Sequence, residues 1–324
     1  MVAYSSVFGD GRGRTHPKYA AVFNSSSTTF GYISGPVDHG VWREKNGELE
    51  LVAQTGKHAP GTHSDVNFYV LGAPKHIAAE TIAFSGELTG PGIDETNNAG
   101  VWVERNGGLE LIAREGDSAP GTDTGVVFSN MSRYSPDLEI DNLDPRVQFF
   151  FDDQGRATIS TELAGPGVDE TNNKGIWTEI DGELSLIIRS GQPLAGLEPG
   201  ITINHFGGIT DFPGTGYAAL RARLTGPGVD DTIDWSLWAI KPGGEPILIV
   251  REGDLFDIDN DPVIEDLRTI RFASLGGQPN ASGQVPLNLL FTDNSRGIFV
   301  ATIPEPTSVM LLVTGLGLIF QRSR

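Results

Sequence analysis

The chain contains no cysteine among its 324 residues. Disulfide bonds, thiol nucleophiles and cysteine-ligated zinc are therefore excluded. Basic residues are also scarce, since 23 lysines and arginines stand against 42 aspartates and glutamates and leave a net charge of −19. An acidic surface repels phosphate groups, so we expect no nucleic-acid partner.

Helical periodicity is missing as well, because residues 1–303 contain no convincing run of apolar residues at a spacing of 3.6. Glycine (42) and proline (20) are instead abundant, which favours short strands joined by tight turns. A hydrophobic content of 38%, with 16 Phe and 5 Trp, is enough for a packed core. This composition is typical of a large all-β protein.

A repeated phrase runs through the chain. "LTGPGIDETNNAGVW" at 88–102 returns as "LAGPGVDETNNKGIW" at 163–177 and as "LTGPGVDDTIDWSLW" at 224–238. A shortened copy occupies 34–42 and a more divergent copy occupies 291–299. Each copy ends in an aromatic residue, for which we expect a repeated core position, with a ligand platform as the alternative. These residues are Trp42, Trp102, Trp177, Trp238 and Phe299.

Each repeat contains alternating apolar runs separated by Gly, Pro, Asn and Asp, which predicts four short strands per repeat. Four strands in each of five repeats predict an all-β five-bladed β-propeller. A row of small β-sandwiches and an irregular β-solenoid are the alternatives. The predicted repeat domain spans 1–303, with repeats near 1–62, 63–122, 123–198, 199–260 and 261–303.

Candidate chemistry is confined to acidic loops, because the six histidines form no H-E-x-x-H pair and no G-x-S-x-G or P-loop motif occurs. Asp257, Asp259 and Asp261 have the alternate spacing that opens a calcium loop. Pro262 and Arg268 stand where an EF-hand has glycine and glutamate. The segment is therefore a calcium candidate or an ordinary acidic turn. The repeated acids of "DETNN" are interpreted as turn formers.

The last residues, 304–324, break the repeat. A Pro-Glu-Pro triplet is followed by the apolar run "TSVMLLVTGLGLIF", predicted to be a short hydrophobic helix, and by the basic end "QRSR". This order resembles the PEP-CTERM sorting signal of exopolysaccharide-producing Gram-negative bacteria. The residues that carry the resemblance are Pro304, Glu305, Pro306, Arg322 and Arg324.

The resemblance implies export, transient insertion of the tail in the inner membrane, and recognition and cleavage by an exosortase near the triplet. The two terminal arginines also fit the positive-inside rule. The apolar run has 14 residues, about 21 Å as a helix, which is shorter than the hydrocarbon core of about 30 Å. We therefore expect a transient, cleavable anchor. No secretory leader is visible from Met1, so we expect the gene to start upstream or the chain to be a fragment.

The body resembles a tandem-repeat family found in such sorted proteins, whose repeat contains an N-x-x-G-x-x-A-F phrase. "NASGQVPLNLLF" at 280–291 starts this way, and "DDQGRATI" at 152–159 is a looser copy. The resemblance implies no activity. We therefore expect a non-enzymatic, surface-sorted protein of the envelope or extracellular matrix that binds polysaccharide or a surface partner. The alternatives are an extracellular glycan-active hydrolase or lyase and a calcium-stabilised structural module.

Overall fold

The computed structural model contains only β-strands as regular secondary structure in the part of the chain that it describes. The described residues are 3–4, 21–22, 40–45, 48–72, 74–76, 82–105, 107–131, 148–152, 155–212, 217–240, 244–258, 266–277, 280 and 283–303. The prediction of an all-β protein is confirmed over these ranges. They include no helix long and apolar enough to cross a membrane. The hydrophobic helix predicted within 304–324 lies outside the described residues.

The described ranges contain twenty-two strands. In chain order they are β1 (Ala3–Tyr4), β2 (Ala21–Val22), β3 (Gly40–Lys45), β4 (Glu48–Gln54), β5 (Asn67–Leu71), β6 (Lys75–His76), β7 (Ile82–Thr89), β8 (Ala99–Arg105), β9 (Gly108–Arg114), β10 (Val127–Ser129), β11 (Gln148–Phe151), β12 (Ala157–Ala164), β13 (Lys174–Ile180), β14 (Glu183–Arg189), β15 (Thr202–Phe212), β16 (Tyr217–Thr225), β17 (Trp235–Ile240), β18 (Ile247–Arg251), β19 (Leu255–Asp257), β20 (Leu267–Leu275), β21 (Gln284–Phe291) and β22 (Arg296–Thr302).

Most strands in the described ranges belong to four antiparallel sheets, whereas the five repeats predict five such sets of strands. Sheet I has the order β5-β7-β8-β9 and sheet II the order β10-β12-β13-β14, and β6 and β11 pair additionally with β7 and β12. Sheet III runs β15-β16-β17-β18 and sheet IV runs β19-β20-β21-β22. β3 pairs with β4, and β1 with β2. Each full sheet therefore carries strands that neighbour in the chain, the arrangement of a meander.

Sheet IV begins earlier than its predicted repeat, because β19 lies inside the fourth repeat and pairs with β20. The cause is visible in the preceding sheets. The Gly56 amide donates to the carbonyl of Phe68 at 2.8 Å, and the Gly253 amide donates likewise to Ile270 at 2.8 Å. The phrase that closes one sheet thus already hydrogen-bonds the first strand of the next. In sheet IV the same connection is extended, so that it forms the strand β19.

The inner strands are buried on both faces. Ile82 to Leu88 of β7 are all buried, and so are Ser236 to Ile240 of β17. A sheet with one face in water shows alternating burial instead. The inner strands are therefore covered by neighbouring structure on either side.

The chain folds into two compact units. The first comprises 1–119, 123–149 and 161–165, and the second comprises 120–122, 150–160 and 166–324. The first unit contains a core around Phe68, Phe84 and Trp102. The second contains one core around Leu220 and Trp238 and another that includes β19–β22 side chains such as Phe291.

Candidate functional site

The repeated acidic phrase forms closed turns. The Asp94 carboxylate accepts hydrogen bonds from the backbone N–H and the hydroxyl of Thr96, at 2.9 and 2.6 Å. The Asn97 side chain accepts from the Asp94 amide and donates to the Gly92 carbonyl. Asp169 repeats both threonine bonds with Thr171. These polar groups are occupied by their own turn, which supports the interpretation of the repeated acids as turn formers.

The same hydrogen bonds set the acidity of the turn aspartates. The Thr96 hydroxyl, followed by the Thr96 backbone N–H, holds the pKa of Asp94 below its ordinary value of 3.8. Thr232 acts in the same way on the pKa of Asp230. A carboxylate that accepts two hydrogen bonds favours its ionised form. These aspartates are therefore poorly suited to donate a proton at neutral pH.

The repeated aromatic residues differ in burial along the chain. Trp102, Trp177 and Trp238 are fully buried, and Phe299 is 8% exposed. The Trp102 indole N–H donates to the Pro60 carbonyl at 2.9 Å, and that of Trp177 to the Pro120 carbonyl at 2.9 Å. The loop that ends one repeat thus covers the tryptophan of the next. The description of these rings as repeat core fits Trp102 and Trp177.

Trp42 departs from that expectation, because 41% of its surface is exposed. Its strand neighbour Leu51 is 46% exposed, whereas Leu111 at the matching position in sheet I is partly buried and would meet a Cβ placed on Gly61 at 2.5 Å. The covering loop seen over Trp102 is thus not observed over Trp42 among the described residues. The sequence could not predict this difference, since the copies are alike.

One repeat differs from the others at several positions of sheet III. Alignment of the phrases places Arg221 where the earlier repeats have Ser85 and Ser160, and Arg223 where they have Glu87 and Glu162. In the next strand, Trp235 replaces Ala99 and Lys174, Asp234 replaces Asn98 and Asn173, and Ser236 replaces Gly100 and Gly175. The remaining framework is kept. Positions that build the fold are copied, so these departures mark a candidate site.

The structure brings the departing residues together. Arg221 pairs in register with Leu237 and Gly208, and Arg223 with Trp235 and His205. The Arg221 guanidinium lies 3.9 Å from the centroid of the Trp235 ring and 5.3 Å from that of Phe272 in β20. A cation over an aromatic face is attracted by the ring quadrupole. Arg221 thus lies close to two aromatic rings. We call Arg221, Arg223, Asp234, Trp235, Glu252 and Phe272 the sheet III cluster.

Two carboxylates complete the cluster. Asp234 is 7% exposed and receives the Arg223 Nε at 2.7 Å. Glu252 follows β18 and is 5% exposed. Burial raises the pKa of Glu252 above its ordinary value of 4.5, the charge of Asp234 raises it further, and Arg221 and Arg223 oppose the rise. The cluster therefore combines two guanidinium groups with one ion-paired acid and one acid that is easier to protonate.

A groove of about 200 Å³ opens beside Arg221. It is lined by Gly207, Gly208, Thr210, Ala219, Arg221, Leu237, Ser274 and Leu275, all from the second compact unit. A Cβ on Gly207 would lie 2.6 Å from the Trp235 ring, so glycine makes room for the indole there. The groove thus offers apolar carbon, two hydroxyls and one guanidinium.

The sequence-predicted calcium residues fall only partly within the described ranges. Asp257 ends β19 and is partly buried, while Asp259 and Asp261 lie outside the described residues. Where the chain is described, no group of three or more His, Asp or Glu side chains could hold a metal ion. The sorting-motif residues Pro304, Glu305, Pro306, Arg322 and Arg324 also lie outside those ranges. Calcium binding and sorting stay predictions.

Sequence reasoning missed the sheet III cluster because it compared what the repeats share. The signal was present in their differences: two serine or glutamate positions had become arginine and one small or basic position had become tryptophan. That pattern would have nominated Arg221, Arg223 and Trp235. Phe272 and Glu252 could not be added without the structure, since Phe272 comes from another sheet and Glu115 already matches Glu252 in sequence.

Comparison with known proteins adds a family assignment and little else. No curated protein matches the chain. One similar solved structure is an α-L-arabinofuranosidase from Fusarium graminearum in complex with an iminosugar inhibitor, at 12% identity and a TM-score of 0.29, covering 86% of this chain and 77% of that one. A family model described as "Family of unknown function (DUF7453)" matches residues 18–138 and 145–310. Since the match covers most of the sequence, the chain belongs to the DUF7453 family.

Proposed function

We propose that the protein is an exported, surface-sorted and non-enzymatic scaffold of the envelope or extracellular matrix, which binds polysaccharide or a surface partner. The observation that carries the proposal is the use of the repeated polar residues. Asp94, Asp169 and Asp230 each bind the threonine two residues on within the turn. Repetition here builds loops, as in a scaffold that presents a surface.

The finer architecture that we propose is a five-bladed β-propeller in which each repeat supplies one blade. Two features support it. The inner strands of sheets I and III are buried on both faces, and the loop that closes one repeat caps the tryptophan of the next through Pro60 and Pro120. Blades that pack face to face in a ring would bury both faces of their inner strands.

The sorting part of the proposal rests on the tail sequence and its resemblance to PEP-CTERM signals. Removal of 304–324 should abolish delivery to the cell surface in a Gram-negative host that carries an exosortase, and Glu305→Ala should reduce it. Surface labelling and fractionation measure the outcome, with Glu95→Ala as a matched acidic control in the body. Unchanged delivery after the deletion would refute the sorting proposal.

A second candidate function is a glycan-active hydrolase or lyase, and the specific observation in its favour is the pair Asp234 and Glu252. Glu252, an acid with a raised pKa, suits the role of general acid, and Asp234 is a second carboxyl group in the same cluster. Incubation with polysaccharides followed by product analysis separates the two functions. Retention without turnover favours the scaffold, whereas turnover that Glu252→Gln abolishes favours the enzyme.

A further inference from the structure

The sheet III cluster contains a cation without a salt-bridge partner among the described residues. Among the described residues, Arg223 pairs with Asp234 and Arg251 pairs with Glu198, both at 2.7 Å. The Arg221 side chain makes no ion pair or hydrogen bond within the same described part of the chain, and its buried Nε lacks an acceptor there. The residue also lines the groove. A ligand acceptor in the groove would give the guanidinium the partner that it lacks.

The surroundings of Arg221 limit what such a ligand can be. The Arg221 Cζ lies over the rings of Trp235 and Phe272, and neither ring supplies an oxygen acceptor for the planar fork of N–H donors. A carboxylate matches such an edge with two parallel hydrogen bonds. The groove supplies a single guanidinium of this kind, which favours a carboxylate over more highly charged groups.

The remaining groove lining fits a sugar ring. Leu237 and Leu275 offer apolar surface, Thr210 and Ser274 offer hydroxyls, and Gly208 leaves open space where a Cβ would lie. The volume of about 200 Å³ is below the range of about 300–1,000 Å³ that holds drug-sized ligands. One small ring with mixed polar and apolar faces is the ligand that these dimensions suit.

We propose that the groove beside Arg221 binds a carboxylate-bearing sugar unit of an acidic polysaccharide, with the Arg221 guanidinium paired to the sugar carboxylate. This inference rests on the proposed polysaccharide-binding function and names its ligand class. The acidic net charge of the protein repels such a polymer at a distance, and added salt screens this repulsion. Loss of Arg221 removes the charge recognition and leaves the apolar contacts.

The test uses the full chain and a trimer of galacturonate, with its fully methyl-esterified form as the uncharged match. Calorimetric titration is carried out with chelator present, so that calcium cannot bridge the acidic partners. We expect the free acid to bind at least about tenfold more tightly than the ester. Equal affinities for the two forms would overturn the carboxylate proposal.

Variants locate the binding. Arg221→Ser introduces the residue that the earlier repeats carry, so the sheet should fold, and it should erase the preference for the free acid. Arg221→Lys should retain part of it, because a lysine lacks the planar fork. Arg271→Ser, an exposed arginine bonded to Asn294, should change nothing. A free-acid preference that survives in Arg221→Ser would refute the site. Binding of the ester alone would refute the inference while leaving polysaccharide binding intact.

Discussion

Sheets I and III are built on one framework and expose different chemistry. Both bury a tryptophan at the matching position, Trp102 and Trp238, with no exposed surface. Both close their acidic loop with an aspartate that binds a threonine. They differ where Ser85 and Glu87 of sheet I become Arg221 and Arg223 of sheet III. The framework and the cluster therefore occupy separable sets of positions.

The sheet III cluster consists of linked substitutions within one repeat. Sheet I buries Ser85 and Glu87, at 6% exposure each, whereas sheet III presents two arginines against Trp235. Three other changes accompany the arginines, at Asp234, Trp235 and Ser236. Asp234 neutralises Arg223 at 2.7 Å, and Trp235 covers Arg221 at 3.9 Å. A cluster of mutually dependent changes on an unchanged framework indicates a local role.

Loss of a buried tryptophan of the shared framework should reduce the free energy of unfolding more than any other change. Trp102→Ala and Trp238→Ala should each destabilise the protein by about 3–5 kcal/mol, because each removes a fully buried ring. Urea unfolding followed by circular dichroism measures both. Trp42→Ala is the matched control and should cost much less, since 41% of that ring is exposed. A loss for Trp42→Ala as large as for Trp102→Ala would show that Trp42 is a core residue after all.

The two sheets also differ at one framework position, which is Gly100 in sheet I and Ser236 in sheet III. A Cβ on Gly100 would lie 2.8 Å from the Trp102 ring, so Gly100→Ser should cost about 1–3 kcal/mol through overpacking. In sheet III the matching Ser236 accepts the Trp238 indole N–H at 2.9 Å and donates to the Ala222 carbonyl. Ser236→Gly should therefore also cost about 1–3 kcal/mol, by leaving the indole without an acceptor.

Gly108→Ser controls for the introduction of serine into sheet I, because a Cβ there meets no atom within 4 Å. It should leave the urea midpoint nearly unchanged. The two sheets thus require opposite residues at one framework position, glycine in sheet I and serine in sheet III. Tolerance of both exchanges would mean that the tryptophan rings sit more loosely than their burial indicates.

The sequence predicted the framework because the framework is what the repeats share. Alternating apolar runs with Gly, Pro, Asn and Asp between them predicted four strands per repeat, and sheets I, II and III have them. The predicted repeat boundary near 260 falls between β19 and β20, which pair with each other, because a pairing between separate strands is not visible in a local phrase. The exposure of Trp42 depends on what covers it, which its own phrase cannot report.

The candidate site could be predicted from the sequence less well than the framework. The spacing of aspartates in the acidic loops can be read from the sequence. The structure shows, however, that Asp94 and Asp169 are hydrogen-bonded within their own turns. The cluster instead depends on Arg221 meeting Phe272 from another sheet and on Glu252 being buried. Burial and cross-sheet distance follow from packing. The sequence by itself shows only which residues of the cluster depart from the repeat.

The carboxyl groups of Glu252 and Asp94 should change the free energy of unfolding in opposite directions as the pH rises, and these changes should be small. Burial raises the pKa of Glu252 above 4.5, so the folded state binds its proton more tightly than the unfolded state. Glu252 therefore lowers the free energy of unfolding as the pH rises from 4.5 through its raised pKa. The groups that face it are Arg221, Arg223 and Asp234, and all three are already part of this balance.

Glu252→Gln should remove that loss, so the variant should gain stability over the wild type from pH 4.5 upward and match it below. Asp94→Asn should act oppositely, because its lowered pKa stabilises the fold above pH 3.8 and this contribution is lost as the pH falls through the lowered value. Urea midpoints from about pH 3 to about pH 8 measure both variants against the wild type. Parallel pH curves for Glu252→Gln and the wild type would place Glu252 in water, outside the sheet III cluster. Curves that diverge from pH 4.5 upward would place an acid with a displaced pKa next to Arg221, where a bound uronate would meet its charge.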